Sequence, residues 1–311
     1  MPTIPLLKNP STPSGWHEVI APGGYEWWRF CARSTEGSTL VNTQLRQGDL
    51  LDPAYNRAYR RFVRNPTRNA PPSPADFSRA ELSVMTAGSP AKSFSAAGHF
   101  AARPGDLNVS IGNSEVRLDE NGRLVIRAGD PAGVAVHLRF ESSPVAPRTW
   151  ELLPQQQWTL ALPYADVMGE VTIAGQSTPF RGKGLHDHLV GTSPIGRYSR
   201  DWFSGVVFLP GGVLAISQMS LRDADQHGAI RLIRSSETGL DEIPVERAAI
   251  DTQPSWPWRA GYPLNVKFDD QLILSQPRLI ASSRRSHRLL YDATFAGERG
   301  VALCDSSQFG S

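Results

Sequence analysis

The chain has 311 residues, 40% of them hydrophobic and 20% charged, with a formal net charge of +2. This is a globular composition, long enough for one large all-β domain or two ordinary ones and able to bury a core without disulfides or metal. The small net charge and the lack of a basic block exclude nucleic acid as the main partner. No apolar run reaches the ~18 residues of a membrane span, so no stable membrane insertion is expected.

The opening MPTIPLLKNPSTPSGW carries four prolines before Ser14. It lacks the apolar stretch of a secretory signal. Cys31 and Cys304 lie almost a chain length apart. They suggest no disulfide framework and fit a reducing, cytoplasmic setting.

The first strong element is GYEWWRF, Gly24 to Phe30. In a strand Tyr25, Trp27 and Arg29 share one face, and Glu26, Trp28 and Phe30 share the other. If the second face looks into a barrel, Glu26 sits in an apolar setting, and burial would raise its pKa and keep it protonated. If the first looks inward, Glu26 is solvated.

Next comes PAYNRAYRRFV, Pro53 to Val63, whose Tyr55, Tyr59 and Phe62 have helical spacing. Arg60-Arg61 in it reads as solvated surface, as does Arg284-Arg285. The proline-rich stretch from 65 to 74 reads as a rim or lid, and a short helix is predicted near Asp76–Glu81.

From there short runs of β-branched and aromatic residues dominate, among them LNVSIG, RLVIRAG, VAVHLRF, SGVVFL, GVLAISQMSL and HRLLYDATF. Glycine, proline, asparagine and aspartate punctuate them, which is a strand signature. Asn121-Gly122 predicts a hairpin turn, and Leu209-Pro210-Gly211-Gly212-Val213 another turn. Stretches 144–157 and 251–262 read as irregular loops. Trp256 and Trp258 in the second either line a pocket or staple the loop to the core. The pattern predicts an all-β sandwich or barrel.

The chemistry concentrates in FRGKGLHDHLVG, Phe180 to Gly191. In an extended chain His186 and His188 share a face and Asp187 points the other way. His-x-His can converge on a metal ion, with further ligands from His17, His99, His137, His227, His287 or a carboxylate. None of these stands at a diagnostic spacing. Alternatively Asp187 faces the interior as a buried acid and the histidines set its protonation. In the inverse geometry the histidines face the ligand. A plain hydrogen-bonded strand end is the remaining reading.

YEWWRF, ALPYADVMGEVTIAGQSTPFRGKGLHDHLVG and RDWFSGVVFL follow one another in this order. The set resembles the carotenoid 1,2-hydratase (hydroxyneurosporene synthase) family, from about Gly15 to the C-terminus. The resemblance implies two consecutive lipocalin-like β-barrels with few helices, here 14–190 and 191–311. It also implies an apolar pocket and cofactor-free chemistry on carbon–carbon double bonds of a large hydrophobic isoprenoid or polyene. The family includes hydratases and lipocalin-like cyclases such as Diels–Alderases.

By position, Asp187 and His188 match the family's D-H pair with His186 before it. Glu26, Trp27 and Trp28 match the early strand, and Asp201 and Trp202 a later D-W. Leu185, Leu189-Val190 and Arg29 depart from the pattern. Losing those aromatic faces weakens the case for carotenoid hydration in particular.

The expected catalytic residues are therefore Asp187, His188, His186, Glu26 and Asp201. The expected substrate wall is Tyr25, Trp27, Trp28, Arg29, Trp202, Trp256 and Trp258. No metal or cofactor is expected, and the partner is a hydrophobic small molecule. Three activities fit: acid-assisted hydration or cyclisation with Asp187 as candidate acid, a pericyclic reaction in which the pocket folds a linear polyene, and non-catalytic carriage of an apolar ligand.

Overall fold

The computed structural model describes residues 13–141, 143, 145–222, 229–253 and 261–309. The chain divides into two compact units, 1–194 and 195–311. Each is built on one curled antiparallel sheet, so the chain is all-β with two lipocalin-like half-barrels.

Among its described residues the first unit has twelve strands: β1 (Tyr25–Ser34), β2 (Thr39–Gln47), β3 (Arg79–Thr86), β4 (Lys92–Ala97), β5 (Phe100–Ala102), β6 (Asn108–Ile111), β7 (Ser114–Leu118), β8 (Leu124–Asp130), β9 (Val134–Phe140), β10 (Arg148–Leu153), β11 (Gln156–Ile173) and β12 (Gln176–Gly191). They are ordered β4-β3-β2-β1-β12-β11-β9-β8-β7-β6-β5. β10 pairs with the start of β11, which β9 does not reach. The sheet curls back on itself, since a Cβ on Gly129 of β8 would meet the Leu82 side chain of β3 at 2.9 Å.

Alternate side chains fill the concave side. Trp28, Phe30, Leu45, Leu82, Ile126 and Phe140 belong to one buried cluster. Each such side chain contributes ~1.5–3 kcal/mol by leaving water.

The predicted helix forms as α1 (Pro53–Arg64). Asp52 caps it by accepting from the Ala54 N–H at 2.7 Å, and Pro53 at the first turn lacks a donor that would go unused there. Pro66 follows Asn65 and helps stop the helix. Tyr55 anchors α1: its ring stacks on Phe77 and its hydroxyl donates to the Gly24 carbonyl at 2.7 Å.

The helix expected at 76–81 is instead a single 3-10 turn, Pro74–Phe77, running into β3. Ala80, Leu82 and Val84 alternate into the core, and that burial outweighs local helix preference. The stretch expected to be a loop at 144–157 contains β10, whose Trp150 is buried against Trp158 of β11. The Asn121-Gly122 turn forms, with Gly122 at φ 72°.

Among its described residues the second unit has nine strands: β13 (Ser199–Leu209), β14 (Gly212–Leu221), β15 (Ile230–Ser236), β16 (Gly239–Ile243), β17 (Ala248–Thr252), β18 (Pro263–Phe268), β19 (Leu272–Ser282), β20 (Ser286–Phe295) and β21 (Glu298–Gln308). Their order is β16-β15-β14-β13-β21-β20-β19-β18-β17. Its core is apolar, with Phe203, Phe268, Leu289 and Tyr291 at the centre. The turn predicted at 209–213 joins β13 to β14. Cys31 and Cys304 are both buried and form no disulfide, one in each unit.

Gly184 of β12 faces the first core opposite Ala32. A Cβ there would lie 2.5 Å from the Cys31 carbonyl oxygen and 2.9 Å from the Phe140 ring. Gly184→Ala is expected to lower the stability of the first unit by ~1–3 kcal/mol, read by urea denaturation. Ala32→Gly, which removes a methyl without adding a clash, should not show the loss of packing around Phe140 in near-ultraviolet spectra.

Candidate active site

Strands β1 and β12 pair in a register that opposes Trp28 to His188, Phe30 to His186 and Arg29 to Asp187. Directly opposed residues of an antiparallel pair point to the same face. Glu26, Trp28 and Phe30 therefore join His186 and His188 on the concave face. Tyr25, Trp27, Arg29 and Asp187 lie on the convex one.

The concave group centres on Glu26, which is fully buried. The backbone N–H of His17 donates to both carboxylate oxygens, at 3.0 and 3.2 Å, and His17 Nδ1 lies 2.8 Å from Oε1. His188 Nε2 approaches the same Oε1 to 3.0 Å. His188 Nδ1 has no partner among the described residues. The Trp28 ring stacks on His188 with centroids 5.1 Å apart and planes at 15°, and its indole N–H donates to the Ser14 carbonyl at 2.8 Å.

His17 arrives from outside the sheet. Trp16 bridges to Pro104, and its indole N–H donates to Gln47 at 3.0 Å, which fixes the segment that presents His17.

Burial alone pushes the Glu26 carboxyl up, but the hydrogen bonds and charges of His17 and His188 outweigh it and hold the pKa below its ordinary value. The sequence-based expectation of a raised pKa saw the apolar neighbours and not the two imidazoles. Glu26 is a buried carboxylate rather than a neutral acid.

His186 is the opposite case. Its ring stacks on Phe30 at 4.2 Å, and Nδ1 donates to the Arg29 carbonyl at 2.9 Å. A carbonyl only accepts, so Nδ1 carries the hydrogen. Nε2 has no partner among the described residues. Burial drives this imidazole down to about 4, and the His186 ring stays neutral at pH 7.

Asp187 faces away from this group. Arg29 Nε donates to Oδ1 at 2.8 Å, an Arg29 terminal nitrogen to Oδ2 at 2.5 Å, and the Trp158 indole N–H to Oδ2 at 2.7 Å. Tyr25 donates to Gln156 at 3.0 Å, and burial pushes its phenol well above the usual value. Trp27 donates to the Gly48 carbonyl, and the Arg46 guanidinium lies 5.6 Å from its ring centre. Asp201 and Trp202 belong to the second unit. Asp201 is half-buried with a raised pKa caused first by burial, and the Trp202 indole N–H donates to Ser217 at 3.1 Å. Trp256, Trp258 and His227 lie outside the described residues.

His17 Nδ1, a Glu26 oxygen and His188 Nε2 lie within 4.8 Å of one another. Two imidazoles and a carboxylate are a donor set that suits a divalent transition metal. His186, the other half of the sequence's His-x-His pair, is not part of this trio. The same atoms serve as proton donors and acceptors, so protons and a metal ion would compete for them.

A cleft of about 790 Å³ opens in the first unit between β4 and the β8–β9 hairpin. Ile111, Ala128 and Val136 form its apolar wall, and Arg127, His137 and Glu170 add polar groups. Ile111 pairs with Phe100, which stacks on Trp28. The cleft wall and the ring beside His188 are thus continuous through one apolar cluster.

These features define a two-unit lipocalin-like protein with a buried His–Glu–His cluster in its first half-barrel. No family model matches the chain. It is 29% identical over 224 residues to hydroxyneurosporene dehydrogenase of Chlorobaculum tepidum, across 65% of this chain and 58% of that protein. The chain therefore spans less than two thirds of the length of the curated relative it matches. This similarity carries the resemblance read from YEWWRF and the HDH stretch.

Among solved structures, an AttH protein of Nitrosomonas europaea superposes with a TM-score of 0.66 at 15% identity, covering 100% of this chain and 99% of the other. Kievitone hydratase from Nectria haematococca gives 0.63 at 14%, over 98% and 94%. CghA in complex with Sch210972 gives 0.59 at 12%, over 98% of each chain. At these identities the likeness shows the shared fold.

Two outcomes follow from this geometry. Asp187→Asn leaves Arg29 without its counter-charge in a buried place and is expected to cost ~3–5 kcal/mol in urea denaturation, with Arg29→Met/Asp187→Leu recovering most of it. Stability should also fall as pH drops from 6.5 to about 4. In that window the unfolded chain takes up a proton that folded His186 refuses. The loss is on the order of 3 kcal/mol. His186→Gln should flatten that slope, whereas the contribution of Glu26 is lost only at lower pH, below the ordinary glutamate value of 4.5.

Proposed function

We propose that the chain is an enzyme that protonates a carbon–carbon double bond of a large hydrophobic substrate inside the first half-barrel, leading to hydration or ring closure. The observation that carries this reading is the fully buried Glu26 carboxylate in contact with His17 and His188, beneath the Trp28 ring. A buried carboxylate sets the orientation of an adjacent imidazole, and an imidazole can give up and take back a proton, which is what a general acid needs.

In this reading Glu26 holds Nε2–H of His188, and Nδ1–H is the proton given up. The alkene π pair takes that proton and a carbocation forms on the neighbouring carbon. The Trp28 face stabilises the cation, as aromatic faces do for desolvated charge. Water then adds to the cation and returns a proton to His188, giving the alcohol. Alternatively a second double bond attacks, a ring closes, and a proton lost from carbon restores His188. His17 keeps Glu26 ionised through both its backbone and ring N–H groups. Both the proton and its counter-ion come from the chain, so no cofactor is needed.

Asp187 then has a positioning role: its ion pair with Arg29 fixes β1 against β12 and thereby Glu26 against His188. The apolar part of the substrate occupies the cleft walled by Ile111, Ala128 and Val136. The names of the relatives agree with a substrate of this kind, one referring to a carotenoid-type compound and another to a hydratase.

The test is mass spectrometry of products after metal-stripped protein meets a panel of linear isoprenoids and polyenes. A product heavier by one water, or one of equal mass with altered absorbance, is expected. Glu26→Gln and His188→Gln should each lower turnover by ~10²–10⁴. Asp187→Asn, which loosens the positioning Arg29 pair without removing the acid, should lower turnover per folded molecule by much less than either. Tight retention of a substrate with no product would make the protein a carrier, and turnover that returns only on adding Zn²⁺ or Fe²⁺ would move the chemistry to a metal at the same trio.

A further inference from the structure

The surface of the first unit around α1 carries a feature that the reaction does not use. Between Pro53 and Ala75 there are five arginines and no Asp, Glu or Lys. This stretch holds a charge of +5 in a chain of net charge +2, which leaves −3 for the rest. Arg57, Arg60, Arg61, Arg64 and Arg68 are all exposed.

On α1, Arg57, Arg60, Arg61 and Arg64 fall within an arc of about 100° at 3.6 residues per turn. Tyr55 and Phe62 point the opposite way, toward the protein. None of the five arginines has a carboxylate partner among the described residues. Most other arginines of this unit that approach a carboxylate do so in ion pairs, such as Arg46 with Asp49 and Glu81.

Beside this stripe lie two exposed aliphatic side chains. Val63, 57% exposed, flanks Arg60 on the helix surface. Ile20, 74% exposed, precedes the turn at Gly23, and a Cβ on Gly23 would meet the Tyr59 ring at 2.6 Å. That packing sets the turn on the side of α1 that carries Tyr59 and, one turn later, Val63.

We infer that this face docks on an anionic lipid surface. The arginine stripe matches phosphate and carboxylate headgroups, and the two aliphatic side chains gain by entering the interfacial layer. A nucleic-acid backbone would satisfy the charges but would offer nothing to Val63 and Ile20. The contact is peripheral: the apolar face of α1 is already spent on the protein, and among the described residues no helix is long and apolar enough to cross a membrane. This inference goes beyond the proposed reaction and does not depend on it, because lipid binding is read without substrate.

The test is co-sedimentation of the full chain with vesicles of phosphatidylcholine alone or with about 30% phosphatidylserine. Binding to the anionic vesicles at about 0.1 M salt, release at about 0.5 M and no binding to neutral vesicles are expected. Arg57→Gln/Arg60→Gln keeps helix propensity and disturbs no described contact. It should lower the partition coefficient about 25-fold, or about fivefold per arginine, at an unchanged melting temperature. Val63→Ser should weaken binding a few-fold at every salt concentration. Equal binding by parent and double variant, failure of the parent to bind anionic vesicles, or stronger binding of duplex DNA or RNA through the same arginines would each overturn the inference.

Discussion

The register of β1 against β12 is the constraint on which the first unit depends. Ten consecutive pairs run from Tyr25 with Gly191 to Ser34 with Gly182. Since side chains alternate, this one alignment decides that Glu26 meets His188 inside while Arg29 meets Asp187 outside. A slip of one residue would set Arg29 opposite a histidine and Trp28 or Phe30 opposite Asp187, breaking both groupings at once. The ladder is pinned from both sides, by the Arg29–Asp187–Trp158 bonds on the convex face and by the Trp28–His188 and Phe30–His186 stacks on the concave one.

The two faces hold their carboxylates by different means. Asp187 is matched by a guanidinium in fork geometry, an arrangement whose main effect is to fix position. Glu26 has no permanent cation. Its donors are a backbone N–H and two imidazoles, groups that can change protonation. A site that must move a proton needs the second kind of partner, because an arginine cannot give one up. His186 next to it stays neutral through burial.

The surrounding architecture serves the same division of labour. The curled sheet shields Glu26 from water, which strengthens each interaction made there. The cleft at β4, β8 and β9 reaches the same apolar cluster through Phe100 and Trp28. On the outside, α1 presses Tyr55 inward and keeps its arginines in solvent.

Much of this was legible in the sequence for physical reasons. Period-2 runs bounded by turn residues mean strands, and they formed; the spacing of Tyr55, Tyr59 and Phe62 means a helix, and it formed. The grouping of Glu26 with Trp28 and Phe30, and of His186 with His188, followed from strand geometry alone. Which of those faces looks inward did not, because nearly every residue of β1 and of the second half of β12 is buried. With both faces covered, hydrophobic alternation no longer separates core from exterior. His17 was equally hidden. It lies in an irregular segment, and only the bridge of Trp16 to Pro104 brings it to Glu26. The amino-acid sequence by itself determined the all-β class, the strand faces and the helix that begins at Pro53, since these depend on neighbours along the chain. The tertiary structure alone decided the inward face, the pairing of Glu26 with two histidines and hence the direction of its pKa shift, since these depend on groups that only folding brings together.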